Sequence, residues 1–212
     1  MPNSSKTDRS HIKRHNERAH YDKESIYKII DEAFICHVSF ALDDQPFVIP
    51  TIHARSDDQI LLHGSKGSRL LQVVKSGAPL SICVTHMDGL VLARSAMHSS
   101  MNYRSVVLFG TGEEITDNPK KLEAMEIFFE HLIPGRWRDV RQPNQKELDL
   151  TAVVAVDIEE ASAKIRTGPP IDDEEDSSLP IWAGVVPFRL AAGKPEEEPG
   201  LNEGITLPDY LL

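Results

Sequence analysis

The chain has 212 residues, of which 40% are hydrophobic and 26% charged, and its net charge is −10 at pH 7. This length suits one large domain with a substantial hydrophobic core. The acidic balance argues against general nucleic-acid binding. No apolar run approaches the roughly 18 residues of a membrane span, and the polar, basic N-terminal residues do not resemble a signal peptide. We therefore expect a cytoplasmic protein with no nucleic-acid or membrane partner.

The composition changes near both ends, which predicts three segments. Residues 1–20 are polar and are expected to form a flexible arm; no cysteine or carboxylate cluster accompanies their histidines, so no metal site is predicted. Residues 21–190 are expected to fold as one domain. Residues 191–212 are acidic, rich in Pro and Gly, and are expected to form a tail. Cys36 and Cys83 lie in apolar segments and are expected to be reduced thiols, with a single disulfide as the alternative.

The first predicted element is a helix over residues 23–34, since Asp22 is a typical N-cap and apolar residues recur at helical spacing. Its apolar face consists of Ile26, Ile29, Ile30 and Ala33. Two apolar, β-branched runs follow over residues 34–41 and 45–54. The Asp-Asp pair at 43–44 is typical of a turn, so these runs are predicted to form a hairpin.

The most informative stretch covers residues 61–71, where an apolar strand leads through a polar turn into a helix. The turn and the helix start contain Gly64, Ser65, Lys66, Gly67, Ser68 and Arg69. Unpaired backbone N–H groups, hydroxyls and cations gathered at a helix start are the components of a phosphate site. The alternative interpretation is ordinary capping of the helix by serine.

Strands dominate the next part of the chain. Residues 80–86 and 90–96 flank an Asp-Gly turn signal at 87–89, which predicts a second hairpin. Residues 103–115 form a long predicted strand that its two glycines are expected to bend.

The last part of the folded segment combines helices with buried strands. The clearest helix runs over residues 118–133, and a shorter helical piece lies at 145–150. The predicted buried face of the long helix consists of Leu122, Met125, Phe129 and Leu132. Residues 152–158 and 161–166 are predicted strands. Because strands outnumber helices and neighbours join as hairpins, the expected class is mainly β, an antiparallel barrel with peripheral helices.

Four segments together resemble a known family: Pro46–Thr51, the 63–65 turn with Ser68 and Arg69, Ser99–Val107, and Pro180–Pro187. Their order is similar to that of the pyridoxamine-phosphate-oxidase-like flavin-binding split barrels. The closest resemblance is to their flavin-nucleotide-binding branch, near the nitroimidazole-resistance proteins. It implies a six-stranded antiparallel split β-barrel, a homodimer, and flavin mononucleotide (FMN) in a groove between the subunits. The Arg-containing terminal signature of the true oxidases is not present at residues 208–212, so vitamin B6 chemistry is not expected.

The resemblance also implies a set of cofactor-binding residues. They are Pro50, Thr51, His63, Gly64, Ser65, Lys66, Ser68, Arg69, Ser99, Tyr103 and Trp182. Lys66 and Arg69 would neutralise the FMN phosphate, and the strand at Thr51 would follow the edge of the isoalloxazine ring. The alternatives are a solvated surface lysine at 66, a helix-surface ion pair of Arg69, an ordinary edge strand, a packed histidine at 63, a hydrogen-bond network at a dimer interface, and core or interface packing of Trp182.

The expected function is that of an FMN-dependent oxidoreductase acting on a small-molecule electron acceptor or donor, with FAD the less favoured flavin. His63 would handle a proton and Arg104 would stabilise developing negative charge on the acceptor. One alternative is a non-catalytic protein that stores or senses flavin. Another is a split barrel that binds haem or a deazaflavin instead.

Overall fold

The computed structural model describes residues 7–211, which form eleven β-strands and four α-helices. The strands are β1 (Ala19–His20), β2 (Ile35–Leu42), β3 (Gln45–Ile52), β4 (Ala54–Ser56), β5 (Gln59–Ser65), β6 (Leu80–Leu92), β7 (Ser100–Gly110), β8 (Gly112–Glu114), β9 (Thr151–Asp157), β10 (Glu160–Arg166) and β11 (Gly184–Pro187). The helices are α1 (Lys23–Asp31), α2 (Arg69–Lys75), α3 (Asn118–Leu132) and α4 (Gln145–Leu150).

The strands form two antiparallel sheets. The larger has the order β1-β10-β7-β6-β2-β3, with β11 added against β6, and the smaller has the order β4-β5-β9-β8. The predicted class, mainly β with peripheral helices, is confirmed. The described strands outnumber the six that were predicted. One reason is that His53 separates β3 from β4 and Thr111 separates β7 from β8, each time dividing a run predicted as one strand.

The first hairpin has the predicted turn. Asp43 and Asp44 both adopt positive φ angles, of 50° and 58°. A two-residue hairpin turn of this kind matches the right-handed twist of the strands, and Asp tolerates the left-handed conformation better than most residues.

The second predicted hairpin is wrong, because β6 continues through residues 87–89 without turning. The Asp-Gly signal there marks a register shift against β7, between Met87 and Gly89. The close approach of β11 explains why a glycine is present, since a Cβ on Gly89 would lie 2.7 Å from the carbonyl oxygen of Val186. Asp88 is held by two hydrogen bonds of 2.9 Å from the guanidinium of Arg104. The position is therefore a β-bulge.

Two apolar clusters stabilise the fold. The larger lies between the two sheets and is covered by α1 and α2; its fully buried members include Ile30, Ile60, Leu62 and Ile82. The smaller lies on the other side of the β5–β9 pair, under α3, and contains Leu61, Val153 and Phe128. Successive residues of β5 therefore point into different clusters, which fixes the face on which each side chain of this strand lies.

The predicted buried face of α3 is wrong by one residue. The residues that α3 buries are Lys121, Ala124 and Phe128. Lys121 packs inward because its ammonium group donates hydrogen bonds to the carbonyl oxygens of Leu148, at 3.4 Å, and Thr151, at 3.1 Å. The apolar residues of the predicted face are consequently only partly covered.

The terminal segments contact the sheets at a few points. Residues 1–6 of the predicted arm, and residue 212 of the predicted tail, lie outside the described residues. From Thr7 onward the chain follows β10: the Arg9 guanidinium is 2.8 Å from a carboxylate oxygen of Glu160, and β1 pairs with β10. In the tail, Arg136 donates a 3.0 Å hydrogen bond to the hydroxyl of Tyr210. The division into arm, domain and tail stays a prediction. Across residues 7–211, no helix combines the length and the hydropathy needed to cross a membrane.

His53, between β3 and β4, gives the fold a predicted sensitivity to acid. The side chain is fully buried, one ring nitrogen lies 3.1 Å from the carbonyl oxygen of Ile30, and burial lowers its pKa to about 4. The unfolded chain takes up this proton near pH 6.5, so stability is unaffected above that pH. It falls as the pH drops from 6.5 to 4, by roughly 3 kcal/mol in total. We expect His53→Leu to flatten this part of the pH profile of the unfolding free energy, measured in urea, whereas His37→Leu on the exposed face of β2 leaves it unchanged. Identical slopes for wild type and His53→Leu would contradict the assignment.

Candidate functional site

The turn between β5 and α2 is fixed by its own backbone. The N–H of Ser68 donates to the carbonyl oxygen of Ser65 at 2.9 Å, and the N–H of Lys66 donates to that of Leu150 at 3.1 Å. Gly64 packs against α2, where a Cβ would lie 3.3 Å from a methyl carbon of Leu71. The backbone of the turn thus has a defined shape without a ligand.

Among the described residues, the cationic groups at this turn form no ion pairs, and of its two serine hydroxyls only that of Ser65 is bonded, accepting a 3.3 Å hydrogen bond from the N–H of Gly67. Lys66 and Arg69 are exposed, and neither forms an ion pair with any residue from 7 to 211. Ser68 is the N-cap residue of α2, but its side chain makes no capping hydrogen bond. The alternative of ordinary serine capping therefore does not account for this residue, and the turn retains two free cations beside two serines.

The turn lies beside the edge of the larger sheet. The guanidinium of Arg69 lies 4.9 Å from the ring centre of Phe47 on β3, a cation–π contact. β3 is the last strand of this sheet and carries Pro50 and Thr51 near its end. The structure thus places the turn, with Gly64, Ser65, Lys66, Ser68 and Arg69, beside β3, the strand that also carries Pro50 and Thr51. That these seven residues bind a cofactor stays a prediction.

His63 points away from this turn. Its neighbour Gly64 contacts α2, so the alternation of β5 places the His63 side chain on the opposite face, toward α3. The imidazole ring centre lies 4.4 Å from that of Phe128 on α3. Nδ1 is buried and has no hydrogen-bond partner in the described part of the chain. Burial lowers the pKa of His63, so the ring is held in its neutral form at neutral pH.

An apolar groove adjoins the imidazole of His63. Its volume is about 310 Å³, and apart from His63 its lining is entirely apolar. The lining residues are Ile52, Met125, Phe128, Phe129, Leu132, Ile133 and Pro143. Sequence analysis missed this groove because it assigned Met125, Phe129 and Leu132 to the buried core. The apolar spacing of these residues is visible in the sequence. Which face of α3 is buried depends on contacts with residues distant in the sequence, so the sequence alone does not predict it.

The remaining predicted site residues lie in another part of the molecule. Tyr103 and Arg104 are on β7, which β6 and β2 separate from β3. The Ser99 hydroxyl is bonded within its own loop, to the backbone of Ala93 and Ser95. Trp182 is 66% exposed. Within one chain, these four residues form a second group apart from the turn.

Arg104 is neutralised by two carboxylates. Besides Asp88, its guanidinium binds Glu32 at the end of α1. Asp88 first and Glu32 second raise the pKa of Arg104 above its ordinary value. A negative charge on a substrate would gain less from Arg104 than from a free cation, because both neighbouring carboxylates repel it. The predicted role of Arg104 in stabilising an acceptor stays a prediction.

The sequence and fold are similar to those of known proteins. Residues 22–165 match the family of pyridoxamine 5'-phosphate oxidase. The flavocytochrome Anf3 from Azotobacter vinelandii is 40% identical, with 97% of this chain and 95% of that chain covered and a TM-score of 0.91. The FAD and heme binding protein from Mycobacterium smegmatis is 34% identical, with 92% and 95% covered and a TM-score of 0.87.

A more distant structure agrees in fold alone. A putative 5-nitroimidazole antibiotic resistance protein from Bacteroides thetaiotaomicron is 23% identical over 73% of this chain and 96% of that chain, with a TM-score of 0.56. None of the curated proteins matches this sequence. The family match, the two relatives above 30% identity and the antiparallel sheets lead to one conclusion: the chain belongs to the pyridoxamine 5'-phosphate oxidase family and has its split-barrel fold.

Proposed function

We propose that this protein binds a flavin at the turn between β5 and α2 and works as an oxidoreductase on a small molecule. The observation that carries the proposal is the pair of cations without ion pairs to any described residue, Lys66 and Arg69, beside the hydroxyl of Ser68, which makes no capping hydrogen bond. A flavin nucleotide presents phosphate to such a surface, and Arg offers it a fork of donors. The 40% identical relative is a flavocytochrome and the 34% identical relative binds FAD, which supports the same cofactor class here.

The turn and the end of β3 would contact different parts of the flavin. Lys66 and Arg69 neutralise the phosphate, and Ser65 and Ser68 donate hydrogen bonds to it. The end of β3, at Thr51, offers its outer backbone groups to the polar edge of the ring system. The bound flavin supplies the electron-transfer chemistry, and the protein supplies its position and electrostatic surroundings.

Two observations bear on whether the flavin is FMN or FAD. The turn by itself accommodates one phosphate group, which favours the FMN expected from the sequence. The M. smegmatis relative is named for FAD, and its similarity extends over 92% of this chain. We therefore favour FAD in this protein, with FMN as the alternative that extraction of the bound flavin distinguishes.

A homodimer would give the second group of predicted residues a part in the site. Ser99, Tyr103 and Trp182 lie apart from the turn within one chain, so they reach the flavin only from a second copy. Exposed apolar side chains support such an association: Val48 on β3 is 62% exposed, and Trp182 is 66% exposed. The proposed assembly predicts a dimer mass in light scattering coupled to size-exclusion chromatography.

Haem is a second cofactor that the comparisons favour. Both relatives above 30% identity are named for it, one as a flavocytochrome and one as a FAD and heme binding protein. Their similarity to this chain covers more than nine-tenths of its length. We include haem in the proposed function as an electron-transfer partner of the flavin.

The test is the visible spectrum of the purified protein after incubation with FAD or FMN and removal of the excess. We expect flavin absorption to stay with the protein, and we expect chromatography of the heat-released cofactor to identify FAD. Loss of all flavin on removal of the excess would overturn the proposal. Reduction of the bound flavin, followed by mixing with organic acceptors, then separates an oxidoreductase from a flavin store. A reduced flavin that no acceptor oxidises faster than it oxidises alone would favour the store.

A further inference from the structure

Arg69 is held by an aromatic ring and by no carboxylate. Its guanidinium lies 4.9 Å from the ring centre of Phe47, and it neither pairs with a carboxylate nor donates a hydrogen bond to any residue from 7 to 211. Three other cations in the described part of the chain lie over aromatic rings. Each of these also forms an ion pair: Arg9 with Glu160, Lys23 with Asp58 and Arg55 with Asp31. Arg69 is therefore placed by the fold without being neutralised by it.

The ring beneath Arg69 is fixed by the first hairpin. Phe47 on β3 is directly opposite Phe40 on β2, and the two rings stack with centres 5.4 Å apart and planes 14° apart. Phe40 is a buried member of the larger apolar cluster, and Phe47 packs against that cluster. The turn at Asp43 and Asp44 sets the register that brings the two rings together. The position of the Phe47 ring thus follows from the sequence of the hairpin.

An aromatic ring and a carboxylate hold an arginine with different consequences for an incoming anion. At Arg104, the carboxylates of Asp88 and Glu32 occupy N–H donors and cancel the positive charge. The face of an aromatic ring attracts a guanidinium but adds no net charge and leaves the donors of the planar fork for another acceptor. Arg69 thus keeps both its charge and its donors for an anion at the turn.

We propose that Phe47 is a positioning residue of the flavin site, whose ring holds the Arg69 guanidinium where the flavin phosphate binds. The inference rests on the proposed function, which puts that phosphate at the turn, and it adds the residue that orders the arginine in advance. A freely moving arginine loses its side-chain freedom when the ligand binds, and this loss weakens affinity. Because the contact with Phe47 exists before the flavin arrives, the fold has already ordered much of this side chain.

The test is a double-mutant cycle on Phe47 and Arg69, with the dissociation constant of FAD measured by quenching of flavin fluorescence. We expect Phe47→Leu to weaken FAD binding roughly 3- to 10-fold, the change that corresponds to ordering one long side chain on binding. In the Arg69→Ala background the same substitution should have no further effect, because no guanidinium remains to be positioned. Phe47→Tyr keeps the ring and should bind FAD with wild-type affinity.

Phe109→Leu is the matched control for the loss of an aromatic ring beneath an arginine. The guanidinium of Arg9 lies 4.4 Å from the ring centre of Phe109, which is on β7, and β6 and β2 separate this strand from β3. We expect this variant to bind FAD as the wild type does. An equal loss of affinity in Phe109→Leu and Phe47→Leu would overturn the inference.

The other outcomes separate this inference from the proposed function. A loss in Phe47→Leu that is absent from the Arg69→Ala background supports both. An equal loss in the two backgrounds, wild-type affinity in Phe47→Leu, or a Phe47→Tyr variant as weak as Phe47→Leu overturns the inference and leaves the flavin proposal standing. A wild-type protein that binds no FAD overturns both. Phe47→Met also removes the ring but keeps a flexible apolar side chain, so the same result in a folded Phe47→Met excludes misfolding as the cause.

Discussion

Replacing Lys66 and Arg69 together with alanine is expected to weaken flavin binding by about 100-fold or more. Each residue contributes a charge-assisted contact to the phosphate, and such contacts are worth roughly 1.5–3 kcal/mol each. The fold should be little affected, because neither side chain forms an ion pair within residues 7–211 and the fold loses only the exposed cation–π contact of Arg69 with Phe47. Titration of the apoprotein with FAD, followed by quenching of flavin fluorescence, measures the change.

The matched control removes exposed cations elsewhere. Lys146→Ala on α4, combined with Arg14→Ala in the N-terminal segment, produces the same change in net charge. We expect this control to bind FAD with wild-type affinity. Equal weakening in both double variants would mean that net charge, rather than contact at the turn, determines binding, and the location of the site would then be wrong.

Gly110→Ala is expected to destabilise the fold strongly, although it adds only one methyl group. A Cβ at this position would lie 2.1 Å from the carbonyl oxygen of Asp157. Gly110 ends β7 and Asp157 ends β9, and the N–H of Asp157 donates to the carbonyl oxygen of Thr111, so the two backbones are held together. Because the clash is with backbone in regular strands, we expect a loss of about 3 kcal/mol or more, above the usual range for overpacking.

Urea unfolding followed by circular dichroism measures this loss. Gly193→Ala is the control, because a Cβ there meets no atom within 4 Å and the backbone is not in the left-handed region. We expect the control to unfold at the wild-type midpoint. A wild-type midpoint for Gly110→Ala would show that the approach of β7 to β9 is looser than the structure describes.

Local signals were sufficient for much of the fold. Asp22 caps α1 as predicted, accepting a 2.8 Å hydrogen bond from the N–H of Ser25, and the buried residues of this helix are the predicted isoleucines. The first hairpin and its Asp-Asp turn were also predictable, because the alternation of the strands and the turn chemistry agree. In each case the residues that determine the structure are close together in the sequence.

Elements that depend on distant contacts could not be predicted in the same way. The Asp-Gly pair in β6 reads as a turn, but Arg104 and the backbone of β11 hold it as a bulge. The buried face of α3 depends on Lys121, whose ammonium group finds two carbonyl acceptors near α4. His63 was predicted beside the flavin because it precedes the turn, yet strand alternation places its side chain on the other face of the sheet.

The attachment of β11 determines which part of the molecule opens most easily. β11 pairs only with the second half of β6, whereas the first half of β6 lies between β2 and β7. Detaching β11 therefore breaks a single ladder of hydrogen bonds. The next contacts toward the N-terminus are those of Asp173, 3.7 Å from a ring nitrogen of His98, and of Asp172, which the Arg94 side chain holds at 2.8 Å. Residues 174–187, with Trp182 among them, thus form a unit whose amide hydrogen exchange reflects local opening, while exchange in β6 and β7 reflects unfolding of the whole domain.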